Sequence, residues 1–180
     1  MLYIVTALKP EAQAFVDMYK LRKIKLDDVT FFVNEEICLI ISGLGVDNSY
    51  KATKYILDRF DIVATDSFLN IGICGACVEY RVGELIEIGS ISYGEEYVEV
   101  DEKIKNNLRC LDEEASSDKH EIVDMESYGF YKAFFHHGAL KKIHILKVVS
   151  DHFEPSEVTK EKTKQLIFKN LDAINRIINR

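Results

Sequence analysis

The chain has 180 residues, of which 47% are hydrophobic and 29% charged, and its formal net charge is −7. That length suits one domain with a core of its own. The acidic balance, with no basic patch to offset it, argues against nucleic acid or an anionic membrane as a partner.

Met1-Leu2-Tyr3-Ile4-Val5 reads as a first strand rather than a signal peptide. No apolar run approaches membrane-spanning length, so the chain is expected in the cytoplasm. Pro10 sits where a first helical turn tolerates it, with Glu11 beside it and a helix running to about Lys20. Val29 to Val33 and Ile37 to Ile41 flank Asn34-Glu35-Glu36 and predict a hairpin. Ser42-Gly43-Leu44-Gly45 then turns into a helix from Val46 to Phe60, with Val46, Tyr50, Thr53, Leu57 and Phe60 on one face.

Ser67-Phe68-Leu69-Asn70 ends a strand that leads into a turn at Gly72 and Gly75. Glu84 to Ile88 alternates as a strand does. From Gly89 to Lys119 the pattern predicts a strand over Tyr97 to Val100, a short helix over Glu102 to Leu108 and a polar loop over Glu113 to Lys119. Ile122 to Ser127 opens a helix that covers Met125 to about His136. Ile143 to Val149 is a buried strand ending in Ser150-Asp151, and Pro155-Ser156 introduces a last helix carrying Ile167, Leu171, Ile174 and Ile178 on one side. Unbroken alternation predicts a single α/β domain over 1–180, a three-layer α/β/α sandwich around a central mixed sheet.

Three acids fall at the ends of regular elements, where open α/β sheets build their sites: Glu11, Glu126 and Asp151. Together they suit acid/base cleavage of a bond whose leaving group needs a proton. Each position has a plainer reading. Glu11 and Glu126 suit the first turn of a helix, and Asp151 or Ser150 suits the cap of a turn. Cys74-Gly75-Ala76-Cys77 is a C-x-x-C, but it lacks the helix and proline loop of a redox motif and a second ligand pair for zinc. Small thiols packed in a glycine-rich turn are expected, with no metal and no cofactor. His136-His137 suits a helix C-terminus, and Phe130, Tyr131, Phe134 and Phe135 suit a core or a subunit interface.

Four segments, in order, resemble the nucleoside phosphorylase and nucleosidase superfamily, most closely the methylthioadenosine/S-adenosylhomocysteine nucleosidases. They are Ile4 to Ala12, Ser42 to Ser49, Asn70 to Ala76 followed by Val82-Gly83-Glu84-Leu85, and Val123-Asp124-Met125-Glu126 followed by Val149-Ser150-Asp151. The resemblance implies hydrolysis of the N-glycosidic bond of a purine nucleoside or thionucleoside. Asp151 would protonate the base, and Glu11 would activate water. Met125 and Glu126 would hold the ribose, with Ser150, Gly75 and Cys74 also lining the substrate site. It further implies a homodimer whose small-molecule partner is the nucleoside. The chain departs from the pattern in two ways: the stretch from Gly89 to Ile122 is short, and Ile73 replaces a serine. Two other readings follow, a non-catalytic nucleoside-binding protein with a degenerate base pocket and a purine nucleoside phosphorylase. Phosphorylases place arginines where this chain has Lys9 and Asn70, so water is the expected nucleophile.

Overall fold

In a computed structural model, which describes residues 1–115, 119–135 and 142–180, the chain builds one mixed sheet flanked by helices. The elements are β1 (Leu2–Thr6), α1 (Lys9–Tyr19), β2 (Arg22–Leu26), β3 (Val29–Val33), β4 (Ile37–Ile41), α2 (Val46–Arg59), β5 (Ser67–Ala76) and β6 (Leu85–Glu87). They continue with β7 (Ser90–Tyr93), β8 (Glu96–Glu99), β9 (Asn107–Cys110), β10 (Ile122–Asp124), α3 (Ser127–Phe135), β11 (Lys142–Asp151) and α4 (Lys160–Ile178). The sheet order is β2-β3-β4-β1-β5-β10-β9-β7-β8, with β11 pairing β5 and β6. Parallel pairs β1–β4, β1–β5 and β5–β11 form its centre.

Both faces of that centre are covered, which is why its strands read as continuous apolar runs. One face carries Phe31, Phe68 and Ile145 under α2 and α3, with Ile56 and Phe130 from the helices. The other carries Leu39, Leu69 and Leu146 under α1 and α4, with Phe15 and Ile167. The three-layer α/β/α sandwich expected from the sequence is the observed architecture. Helices α2 and α3 approach so closely that a Cβ at Gly129 would collide with the Val46 carbonyl oxygen.

Several expectations are corrected. Glu102 to Leu108 is not a helix. Asp101 caps a turn by accepting from the Lys103 N–H, and Asn107–Cys110 then runs as a strand with Leu108 and Cys110 buried. Ile122 to Asp124 is a strand, because it bridges the far end of β5 and β9. The helix after it begins only at Ser127, so Glu126 precedes it and does not lie in its first turn. Arg22–Leu26 is an extra edge strand against β3. Of the aromatic cluster, Phe130 and Phe134 are buried within the chain, whereas Phe135 is 66% exposed. His136-His137 lies outside the described residues. Among the described residues, no helix is long and apolar enough to cross a membrane.

Candidate active site

A cleft of about 290 Å³ opens beside the carboxyl ends of β1, β5 and β11, where an open α/β sheet offers its ligand crevice. Its size is at the lower end for small-molecule sites. Glu11, Glu126 and Asp151 all line it, as do Met125, Ser150, Gly75 and Cys74. The structure thus brings the seven residues that the resemblance assigned to the substrate site to one place.

Glu11 sits in the first turn of α1, after Pro10. Its Oε2 accepts from the N–H groups of Ala7 (3.0 Å) and Leu8 (2.8 Å), and its Oε1 accepts from the Ile73 N–H on β5 (3.0 Å). Three of roughly four acceptor positions on the carboxylate are therefore used, which leaves one for a ligand. Burial pushes its pKa up, against the pull of the Leu8 and Ile73 N–H groups and the Lys147 charge. The helix start alone would have lowered it, so burial wins here. Gly72 makes room for this arrangement: a Cβ there would lie 2.9 Å from Glu11 Oε1.

Glu126 occupies the corner between β10 and α3 and is 7% exposed. Its Oε1 accepts from the Gly45 N–H at 2.9 Å, which ties the corner to the turn before α2. Gly45 has a φ of 95°, a backbone that favours glycine. Burial first, and then the neighbouring Asp124 charge, push Glu126 up to about 7, with Lys147 and the Gly45 N–H opposing.

Asp151 ends β11 at a bulge. The register shifts between Val149 and Asp151, so Ser150 and Asp151 stand together against Gly75. A regular strand sends successive side chains to opposite faces. Here the bulge lets both line the cleft, with Ser150 Oγ 2.6 Å from Asp151 Oδ2 and 3.0 Å from the Cys74 carbonyl. Asp151 Oδ1 also accepts from the Glu154 N–H at 2.9 Å, so the turn cap read from the sequence is present as well. Gly75 faces this carboxylate, and a Cβ there would lie 3.7 Å from Asp151 Oδ1.

Beneath the cleft lies a group that sequence reasoning missed. Lys147 is 1% exposed, and its Nζ lies 2.7 Å from Asp124 Oδ2 and donates to Asn70 Oδ1 at 2.7 Å. Burial pulls its pKa down, but the charges of Asp124, Glu126 and Glu11 outweigh that and raise it. Lys147 is therefore the counter-charge of a buried acidic cluster. Asp124 Oδ2 also accepts from the Ser127 N–H and hydroxyl, which starts α3. One lysine inside the apolar run Ile143 to Val149 was the available signal, because a fully buried lysine needs a partner.

The stretch from Gly89 to Ile122 also reaches the cleft, through Leu111, Glu113, Glu114 and Ala115. Tyr93 and Tyr97 do not. Tyr93 stacks on Tyr128 with ring centroids 4.6 Å apart, and Tyr97 is 62% exposed. Among the described residues no aromatic ring lines the cleft. Cys74 lines it, but burial pushes its thiol up and away from a reactive thiolate. His152 points its Nδ1 at the Ala76 carbonyl (2.9 Å) instead.

The fold defined by this sheet and cleft is that of known nucleosidases. The 5′-methylthioadenosine/S-adenosylhomocysteine nucleosidase of Helicobacter pylori superposes with a TM-score of 0.80 at 13% identity, over 99% of this chain and 97% of that one. Futalosine hydrolase of Helicobacter pylori gives 0.78 at 16% identity, over 98% and 97%. The 5′-methylthioadenosine/S-adenosylhomocysteine nucleosidase of S. pneumoniae gives 0.74 at 17%, over 96% and 99%. No family model and no curated protein matches the sequence. The resemblance carried by four sequence segments is matched by the fold.

Proposed function

We propose that this protein is a nucleosidase that hydrolyses the N-glycosidic bond of a purine nucleoside or thionucleoside. The observation that carries this reading is the convergence of Glu11, Glu126 and Asp151 on one cleft of a nucleosidase fold. Bond cleavage builds positive charge on the ribose and negative charge on the base, and an enzyme accelerates it by binding that state best. Asp151 donates a proton to a base nitrogen as the electron pair of the C1′–N bond leaves with the base. Glu126 accepts hydrogen bonds from the two ribose hydroxyls, as a carboxylate with two acceptor oxygens can, and Met125 packs on the sugar. Water adds to C1′, and Glu11 takes its proton through the one acceptor position left free. The sum is nucleoside plus water giving base plus ribose.

Water is favoured over phosphate because no arginine, lysine or histidine among the described residues lines the cleft. Phosphorolysis needs cations or a nest of N–H groups on the attacking face. We further infer one domain over 1–180, a cytoplasmic role in purine nucleoside salvage, and a two-fold homodimer.

The test is to incubate a nucleoside panel with and without phosphate and to follow free base by chromatography. Base release without phosphate is expected. Release only with phosphate would make the protein a phosphorylase, and binding without release would make it a binding module.

A further inference from the structure

Six carboxylates line the cleft: Glu11, Glu113, Glu114, Asp124, Glu126 and Asp151. No cationic side chain among the described residues lines it with them. Lys147, the cation paired with this cluster, is buried beneath and committed to Asp124 and Asn70. Glu113 and Glu114 are exposed and belong to the run Asp112-Glu113-Glu114-Ala115-Ser116-Ser117-Asp118, which holds no basic residue. Glu126 is nine-tenths buried, and among the described residues it accepts a single hydrogen bond, from Gly45. Asp124, which also lines the cleft, has its buried Oδ1 without a hydrogen-bond partner among the described residues.

On the basis of the nucleosidase reading, we propose that this cleft selects its nucleoside by charge, admitting neutral and cationic molecules and rejecting those that carry phosphate or carboxylate. Two kinds of carboxylate enforce the filter. Of the buried ones, Asp124 is balanced by Lys147 and burial favours the protonated forms of Glu11 and Glu126, so their share is to offer an anion no cation and, where ionised, to repel it at short range with little screening by salt. Glu113 and Glu114 act from the solvent side, steering a positive substituent in and repelling a negative one, and salt weakens that share. A substrate that brings an anion would leave it unpaired beside like charges, because no cation among the described residues lines the cleft to meet it.

The experiment uses three 5′-thioether adenosines of matched length whose substituent ends in a methyl, an ammonium or a carboxylate group. Turnover is followed as base release, and affinity is measured by calorimetry on the same protein. The expected order is ammonium at or above methyl, with carboxylate at least about tenfold weaker in low salt. The gap should narrow as salt is raised and should shrink in the E113Q/E114Q variant, whose changes fall on exposed side chains. Equal handling of all three, or preference for the carboxylate, would overturn the charge filter while leaving hydrolysis standing. The same order in binding with no base release would uphold the filter and overturn the nucleosidase reading. No binding of any of the three at millimolar concentration would overturn the filter.

Discussion

At the scale of single residues, the site separates three acids by their surroundings. Asp151 is held by Ser150 and by the Glu154 N–H, Glu11 by three backbone donors, and Glu126 by one. If Asp151 supplies the proton, Asp151→Asn should lower turnover by about 10²–10⁴ while nucleoside affinity changes little. Single-turnover base release and calorimetry on the same variant check this, and wild-type turnover would reduce Asp151 to a turn cap. Glu126 gives a second expectation, in pH. Only its ionised form accepts from both ribose hydroxyls, and its pKa stands near 7 because of burial and the Asp124 charge, with Lys147 opposing and Glu11 adding a smaller push. Nucleoside affinity of the Asp151→Asn protein should therefore strengthen as pH rises through about 7 and level off above it. In the Glu126→Gln background that slope should vanish. The same raised pKa acts on stability with the opposite sign: the folded state favours protonated Glu126, a contribution present below the ordinary value of 4.5 and lost as pH rises through about 7.

At the scale of elements, β11 carries both the lysine under the cleft and the aspartate at its lip. Lys147→Met removes the counter-charge and leaves Asp124 buried without its ion pair, which should cost about 3–5 kcal/mol. Urea unfolding followed by circular dichroism measures it, and Lys147→Met combined with Asp124→Leu should recover part of the loss. Such pairing is where the sequence is least legible. The periodic elements α1, α2 and α4 and the apolar strands β1, β4 and β11 could be read because their burial patterns are local. Glu11 and Asp151 could be read because they stand at the ends of those elements, and Glu126 because it belongs to the Val123-Asp124-Met125-Glu126 segment that carries the resemblance. By contrast β10, three residues long, owes its conformation to partners on β5 and β9 that no local pattern reveals. Its misreading as a helix also put Glu126 in a first turn it does not occupy. Arg22-Lys23-Ile24-Lys25-Leu26 was missed as a strand because an edge strand with charged residues has little burial to advertise it. Lys147 was visible as a residue, but its partners Asp124 and Asn70 come from two other strands.

At the scale of the whole molecule, the chain buries Phe130 and Phe134 by itself but leaves Phe135, Leu44 and Val78 largely in solvent. Leu44 also lines the cleft, so one of these apolar side chains belongs to the site's open rim. Two-fold pairs are the commonest assembly of soluble chains, and a neighbour seated there would close the rim against water. The proposed homodimer should therefore sediment as one species of twice the chain mass at micromolar concentration, with Leu44→Glu shifting it toward the monomer. A wild-type monomer under those conditions would leave the rim open and remove the dimer from the reading.

The bulge at Ser150 makes the site a matter of counting as well as of chemistry. Along an ordinary strand, odd and even positions belong to different sides, so neighbours in the chain are strangers in space. One surplus residue on β11 suspends that parity for a single step, and Ser150 and Asp151 share a side. The spacing between the buried lysine and the aspartate is thereby as binding on this sequence as the identity of either. Drift by substitution can exchange one apolar side chain for another of similar volume at the buried Val148 or Val149, whereas the gain or loss of one codon between Lys147 and Asp151 would break the arrangement outright. Distant descendants of this chain should be recognisable by that interval even after most of their letters have changed.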